Sequence, residues 1–147
     1  MRILDWPPVW LAGAMALVWS FDQIMPWSMF GTLGRVIGAG LGIAGVALMM
    51  AAAAQMIAAR TTVIPRQRPN HLVTGGVFRL SRNPIYLGDA FVLAAADLWW
   101  DVPPGLPVLL AFVLLIQHRF ILGEEAVLRA QFGAGFDDWT QQTRRWL

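Results

Sequence analysis

The stretch LGRVIGAGLGIAGVALMMAAAAQMIAA, residues 33–59, decides the fold class of this chain. It carries no charge except Arg35 near its start, and about 20 consecutive apolar residues are enough to cross a bilayer as a helix. Three further apolar segments approach that length, at about 9–25, 85–100 and 105–121. The sequence therefore predicts an all-α, polytopic membrane helix bundle with about four transmembrane helices, formed by one domain over residues 1–147.

The composition supports a membrane protein and excludes several other classes. The chain has 147 residues, of which 57% are hydrophobic and 14% are charged, whereas soluble domains carry about 25% charged residues. It contains no cysteine, which excludes disulfides, iron–sulfur clusters and thiolate–zinc sites. The 11 basic residues are all arginine. They lie beside apolar segments, which indicates membrane charge asymmetry rather than nucleic-acid binding.

The arginines also predict which loops face the cytoplasm. Five lie between the second and third segments, and four lie at or beyond the end of the fourth: Arg60, Arg66, Arg68, Arg79, Arg82, Arg119, Arg129, Arg144 and Arg145. Because arginine-rich loops stay on the cytoplasmic side, we expect loop 60–83 and both termini to face the cytoplasm. The loop at Asp101 has no basic residue and is expected to face outward. Arg35, near the outer end of the second segment, fits this pattern poorly.

Glycines recur every four residues within the second segment, at Gly34, Gly38 and Gly42, and Gly31 and Gly45 extend the same face. A G-x-G-x-G nucleotide-binding loop needs a preceding strand and a helix that starts at the glycines. These glycines lie inside a continuous apolar segment instead. Their spacing predicts a helix face that another helix approaches closely.

The stretch GGVFRLSRNPIYLG, residues 75–88, introduces the third segment. Asn83 and Pro84 are typical of an N-cap followed by the first helical residue. Arg79 and Arg82 lie beside this helix start, and a helix N-terminus near positive charges is suited to bind an anionic group.

The stretch GEEAVLRAQFGAGFDDWTQQTRRWL, residues 123–147, has apolar residues at helical spacing with mostly polar residues between them. This pattern predicts an amphipathic cytoplasmic helix over 123–145, which could break at Gly133 and Gly135. Glu125 is spaced to pair with Arg129 one turn further on. Glu124 has no arginine at that spacing.

These two polar elements carry a resemblance. HLVTGGVFRLSRNPIYLG, residues 71–88, resembles the signature of the isoprenylcysteine carboxyl methyltransferase and phospholipid methyltransferase family of integral membrane enzymes. EEAVLRAQFGAGFDDWTQQTRRW, residues 124–146, is similar to the second element of that family. The two elements occur in the family's order with a helical hairpin between them, whereas residues 1–60 match only as generic spans. The resemblance implies a methyltransferase of the bacterial inner membrane with its active site facing the cytoplasm.

The resemblance also implies the cofactor and the residues around it. The cofactor is S-adenosylmethionine, in a site formed by loop 60–84, the start of the third segment and the C-terminal helix. The residues implied to bind it are His71, Leu72, Val73, Phe78, Arg82, Asn83, Pro84, Ile85, Tyr86 and Glu124. The candidate catalytic residues, which would orient the methyl acceptor, are Asn83, Tyr86, Arg119 and Glu125. No metal is expected, because methyl transfer from a sulfonium needs none and His71 and His118 have no clear carboxylate set beside them.

The sequence does not settle which acceptor receives the methyl group. Prenylcysteine enzymes of eukaryotes have His at the position of Asn83, Tyr at that of Phe78, and a substrate-binding Arg at that of Phe120, with Arg119 adjacent here. These departures argue against a prenylcysteine carboxylate, and the resemblance implies a lipophilic or amphiphilic small molecule or lipid bearing a carboxylate, amine or thiol. Asp89 is either a neutral or arginine-paired acid of the bundle or a polar wall of the acceptor pocket.

Two other functions fit the same sequence. One is a nicotinamide-dependent membrane reductase of the related sterol-reductase branch, and the other is a non-enzymatic membrane partner. The sequence leaves the oligomeric state open.

Overall fold

The computed structural model describes residues 5–25, 29–64, 67 and 69–147, and within these ranges the chain is helical with no β-strand. Arg66 and Arg68, which helped to predict the orientation, lie outside the described residues. The α-helices are α1 (Pro7–Ile24), α2 (Gly31–Ala58), α3 (Pro84–Trp99), α4 (Gly105–Ile116), α5 (Leu122–Phe132) and α6 (Ala134–Gln142). A 3₁₀ turn, Gly76–Arg79, precedes α3, and a π-helical segment, Gln117–Ile121, joins α4 to α5. The predicted all-α fold class is confirmed.

Two helical stretches in the described part of the chain are long and apolar enough to cross a bilayer. They are α2 and the continuous helix Gly105–Phe132, each of 28 residues. By contrast, α1 has 18 residues and α3 has 16. At about 1.5 Å per residue, α3 is about 24 Å long, which is shorter than the roughly 30 Å hydrocarbon core of a bilayer. Four crossings therefore remain a prediction, and length and composition support two of them.

Helices α2 and α3 pack closely because glycines line their contact. Gly34, Gly38 and Gly45 are buried on α2. A Cβ atom at Gly38 would lie 2.9 Å from the backbone oxygen of Ala95, and one at Gly45 would lie 2.7 Å from the backbone oxygen of Gly88. Any side chain there would push the two backbones apart, so the small residues set the helix separation. The large apolar side chains of the other α2 faces, including Ile43 and Met50, are exposed.

At the end of the bundle opposite the Asn83 loop, Asp101 ties the start of α2 to the α3–α4 connection. Its carboxylate accepts hydrogen bonds from the backbone N–H groups of Met29, Phe30 and Gly31, at 2.7 to 3.1 Å. The bonds from Phe30, Gly31 and Met29 lower the pKa of the Asp101 carboxyl, and the positive charge of Arg35 acts in the same direction. Arg35, which fits the charge pattern poorly, thus lies near an acid.

The continuous helix Gly105–Phe132 changes its winding at the π-helical segment. This segment inserts one extra residue, which rotates the following helix face by about 100°. Ile116, Phe120 and Ile121 are all buried there, in a cluster with residues of α1 and α3. The side chains of Glu124 and the rest of α5 therefore point in directions rotated by about 100° from those of an uninterrupted α-helix.

The C-terminal segment differs from the prediction of one amphipathic helix over 123–145. Helix α5 continues from α4 and ends at Phe132, and Gly133 then adopts a positive φ of 51° before α6 begins. Glycine adopts this backbone region without the strain that a Cβ atom adds. Helix α6 ends at Gln142, and the tail 143–147 is not helical.

Candidate active site

A cavity of about 650 Å³ opens where loop 61–73, the start of α3 and helices α5 and α6 meet. Its volume lies within the roughly 300–1,000 Å³ of small-molecule sites. The twelve residues predicted from the sequence to bind the cofactor or orient the acceptor all line this one cavity: His71, Leu72, Val73, Phe78, Arg82, Asn83, Pro84, Ile85, Tyr86, Arg119, Glu124 and Glu125. The fold therefore brings the two polar elements of the sequence together.

Tyr86 and Glu124 join the first turn of α3 to the first turn of α5. The Tyr86 hydroxyl donates a hydrogen bond of 2.8 Å to Oε1 of Glu124. The tyrosine is buried, with its ring 6.3 Å from the ring of Phe120. Because Tyr86 is held by packing, its hydroxyl fixes the direction of the Glu124 carboxylate. An oriented acidic group therefore lines the cavity.

Glu125 makes its ion pairs with the C-terminal tail and the loop before α3. Arg145 contacts both carboxylate oxygens, at 2.9 and 2.7 Å, and Arg82 lies at 3.4 Å. The expected pairing of Glu125 with Arg129 is wrong, because Arg129 pairs with Asp137 at 2.9 Å instead. The Glu125 hydrogen bonds raise the pKa of Arg145, whereas burial lowers the pKa of Arg82.

Asn83 holds the tail rather than capping α3. It occupies the N-cap position without a side-chain capping hydrogen bond, and its Nδ2 instead donates to the backbone oxygen of Arg145 at 3.1 Å. The Ser81 hydroxyl donates to the same oxygen, and the Arg82 backbone N–H donates to the oxygen of Arg144. Loop and tail therefore form one hydrogen-bonded edge of the cavity, which sequence spacing did not indicate.

An apolar wall completes the loop side of the cavity. Phe78, Phe136 and Trp139 are buried, and they pack with ring centroids 6.0 to 6.5 Å apart. Trp139 Nε1 donates a hydrogen bond to the backbone oxygen of Phe78. Leu72 and Val73 pack against the same cluster. This wall is suited to a flat, mainly apolar group.

The sequence profile of the phospholipid methyltransferase family matches residues 33–135, more than two thirds of the chain. The chain belongs to the phospholipid methyltransferase family. No curated protein and no solved structure matches it. The predicted resemblance is therefore confirmed at the level of the family.

The phospholipid methyltransferase match begins after α1, yet the start of α1 contributes to the cavity. Trp6, Pro7 and Pro8 line it beside Arg119. Arg119 lies 3.8 Å from Asp5 and 5.3 Å from the ring centroid of Trp10. These α1 residues were not predicted to belong to the site. The proline pair before the first apolar segment marked a helix start, but nothing in its pattern indicated which element it would meet.

Asp89 also lines the phospholipid methyltransferase cavity, one turn beyond Tyr86 on α3. It is 2% exposed, and no described residue forms a hydrogen bond or ion pair with its carboxyl group. This excludes an arginine-paired acid among the described residues. His71 lines the cavity, whereas His118 does not and is exposed. Among the described residues there is no group of three side chains that could hold a metal ion.

Proposed function

We propose that this family member is an S-adenosylmethionine-dependent methyltransferase embedded in the bacterial inner membrane. Its active site faces the cytoplasm, and its methyl acceptor is lipophilic or amphiphilic. The observation that carries the proposal is a single cavity in a phospholipid methyltransferase family chain, lined by both sequence elements that resemble membrane methyltransferases.

The residues around the cavity fit the three chemical parts of S-adenosylmethionine. The apolar wall at Leu72, Val73 and Phe78 would pack against the adenosine. Arg82 Nε is buried without a hydrogen-bond partner among the described residues, and it would donate to the cofactor carboxylate. The Glu124 carboxylate, oriented by Tyr86, would face the positively charged sulfonium of the cofactor. The unsatisfied donor at Arg82 favours an anionic ligand group because a buried donor without a partner is costly.

When bound, the cofactor supplies a methyl group carried on a positively charged sulfur. After transfer of the methyl group, the rest of the cofactor is a neutral thioether. The protein must hold the nucleophilic atom of the acceptor about 3 Å from the methyl carbon and in line with the leaving sulfur. Tyr86 is suited to this positioning because burial and packing against Phe120 hold its ring in place. Asn83 would fix the cavity edge through Arg145. Glu125, engaged by two arginines, would hold the tail in place rather than touch the acceptor.

The shape of the site supports access for the acceptor from the lipid. The start of α1 lines the cavity with Trp6, Pro7 and Pro8, and α2 adds Met49; all four side chains are mainly apolar. An amphiphile is concentrated in the bilayer by its buried CH₂ groups, at about 0.8 kcal/mol each. A water-soluble cofactor would instead arrive from the cytoplasm, past loop 61–73. Arg119 lies at the α1 side, where it could contact a polar head of the acceptor.

Cofactor binding tests the proposal and separates it from the two alternatives. The full-length protein, purified in detergent, is titrated calorimetrically with S-adenosylmethionine and, separately, with NADPH. We expect binding of S-adenosylmethionine and none of NADPH. Binding of NADPH alone would favour the membrane reductase, and binding of neither ligand by folded protein would favour the non-enzymatic partner.

A further inference from the structure

Two arginines compete for one carboxylate beside the cavity. Arg145 donates to both oxygens of Glu125, from Nε to Oε1 at 2.9 Å and from Nη2 to Oε2 at 2.7 Å. Arg82 approaches only Oε1, with its Nη2 at 3.4 Å. Charge-assisted hydrogen bonds between these groups are about 2.7–2.9 Å long. Arg145 therefore holds Glu125 by two hydrogen bonds, and Arg82 is left with a longer ion pair.

This division leaves a donor of Arg82 unused. The Arg82 side chain is 12% exposed, and its Nε is buried with no hydrogen-bond partner among the described residues. A buried donor without a partner is costly, so it favours a ligand that supplies an acceptor. Arg82 lines the cavity, whereas Arg145 does not. The arginine that a ligand can reach is thus the one with the weaker hold on Glu125.

The backbone around Arg145 is anchored at both polar elements of the site. The Arg145 backbone oxygen accepts hydrogen bonds from the Ser81 hydroxyl and from Asn83 Nδ2, each at 3.1 Å. The next residue, Trp146, donates from Nε1 to Oε1 of Gln117 at 2.9 Å. The loop before α3 and the π-helical segment therefore hold the tail on either side of the Arg145 side chain. Its direction toward Glu125 is set without a ligand.

We propose that Arg145 is a positioning residue that holds Glu125 and so keeps Arg82 available to an anionic ligand group. The inference rests on the proposed function, in which that group is the carboxylate of S-adenosylmethionine. Without Arg145, Glu125 would form a two-bond pair with Arg82 and occupy the donors that the cofactor needs. The charge of Glu125 would also lose the partner that offsets it, and would repel the cofactor carboxylate. Both effects depend on the negative charge of Glu125.

A tail that only stabilises the fold would have different consequences. Its loss would weaken the binding of every ligand of the cavity alike. If Arg145 acts on Arg82 through Glu125, its loss weakens only a ligand that carries a carboxylate. Removal of the Glu125 charge in the same protein then releases Arg82 and restores that ligand. The two roles are therefore separated by ligand preference and by rescue.

Calorimetric titration with two ligands that differ by one carboxylate tests the inference. The full-length protein in detergent is titrated with S-adenosylmethionine and, separately, with its decarboxylated form, which keeps the adenosine and the sulfonium. We expect the wild type to bind S-adenosylmethionine about tenfold to a hundredfold more tightly, the scale of a hydrogen bond to a charged group. A wild type that binds both ligands equally well would overturn the inference.

Four variants connect this preference to Arg145. Arg145→Met should lose most of the preference, and Arg145→Met/Glu125→Gln should regain most of it, because no charge remains to capture Arg82. Glu125→Gln alone should keep it. Arg144→Met is the matched control, since it makes the same change at a neighbouring exposed side chain that forms no ion pair with a described residue, and it should also keep the preference. The affinity for the decarboxylated ligand should be the same in all four variants.

Circular dichroism checks the folding of each variant. If Arg145→Met does not fold, Arg145→Lys replaces it, because lysine keeps the charge but not the two-bond contact of arginine, and its preference should be intermediate. A folded single variant with the wild-type preference would overturn the inference. So would a double variant whose preference is no greater than that of the single variant.

The same titrations separate this inference from the proposed function. If the wild type binds S-adenosylmethionine but the preference does not depend on Arg145, only the inference fails. If the folded wild type binds neither ligand, the proposed function fails.

Discussion

Glu124 and Glu125 are adjacent in the sequence but have different partners, so their isosteric variants should fail in different ways. Glu125 is 8% exposed and forms a two-bond ion pair with Arg145, with Arg82 nearby. Breaking a fully buried pair costs about 3–5 kcal/mol, and exposed pairs contribute at most about 1 kcal/mol. The Arg145 side chain is 31% exposed, so we expect Glu125→Gln to lose about 2 kcal/mol. For a chain of this length that loss lowers the melting temperature by about 4–8 °C.

Glu124→Gln should instead weaken cofactor binding while the protein stays folded. It keeps the shape of the side chain and the acceptor for the Tyr86 hydroxyl. Loss of the charge should weaken S-adenosylmethionine binding by about tenfold to a hundredfold, the scale of a hydrogen bond to a charged group. Both variants are measured by thermal melting in detergent and by calorimetric titration. Equal cofactor affinity in Glu124→Gln and wild type, or a larger loss of affinity in Glu125→Gln, would refute the assignment of these two acids.

Gly45→Ala should destabilise the protein by about 1–3 kcal/mol through backbone crowding. Gly40→Ala, which has open space, should be neutral or should stabilise the protein by up to about 1 kcal/mol. Equal melting temperatures of the two variants would contradict the close packing of α2 against α3 at Gly45. The lowered pKa of Asp101 means that its stabilisation is present above about pH 4, its unfolded value, and is lost as the pH falls through the folded pKa. Asp101→Asn should therefore melt below wild type at neutral pH and close to it in acid, and a pH-independent difference would refute this. Periplasm-active reporter fusions should be silent in loop 60–83 and active near Asp101, and activity in the loop would reverse the orientation.

The features that could be predicted from sequence are those encoded by local pattern. The apolar run at 33–59 predicts the helix α2, and the glycine repeat within it predicts which face of α2 packs against another helix. Helical spacing alone places these glycines on one face. The two polar elements were expected to form one site through the resemblance, and they line one cavity. The start of α3 at Pro84 follows from proline's fixed φ and missing N–H.

The remaining features depend on contacts between residues distant in the sequence. Glu125 has Arg129 at helical spacing, but the chain returns Arg145 to it after the turn at Gly133. Asparagine is a preferred N-cap residue, yet the Asn83 side chain donates its hydrogen bond to the backbone oxygen of Arg145 in the tail. The contribution of α1 to the cavity depends on the packing of α1 against α4, which no local pattern specifies.

Methyl transfer itself tests the central claim most directly. The purified full-length protein in lipid vesicles is given methyl-labelled S-adenosylmethionine and a series of primary alkylamines that differ only in chain length, and label is counted in the organic extract. We expect label in the methylated amine, with a rate that rises with chain length because longer chains concentrate in the bilayer. Folded protein that binds S-adenosylmethionine but leaves all label in the aqueous phase, with this series and with total bacterial lipid, would contradict a membrane methyltransferase with an amphiphilic acceptor.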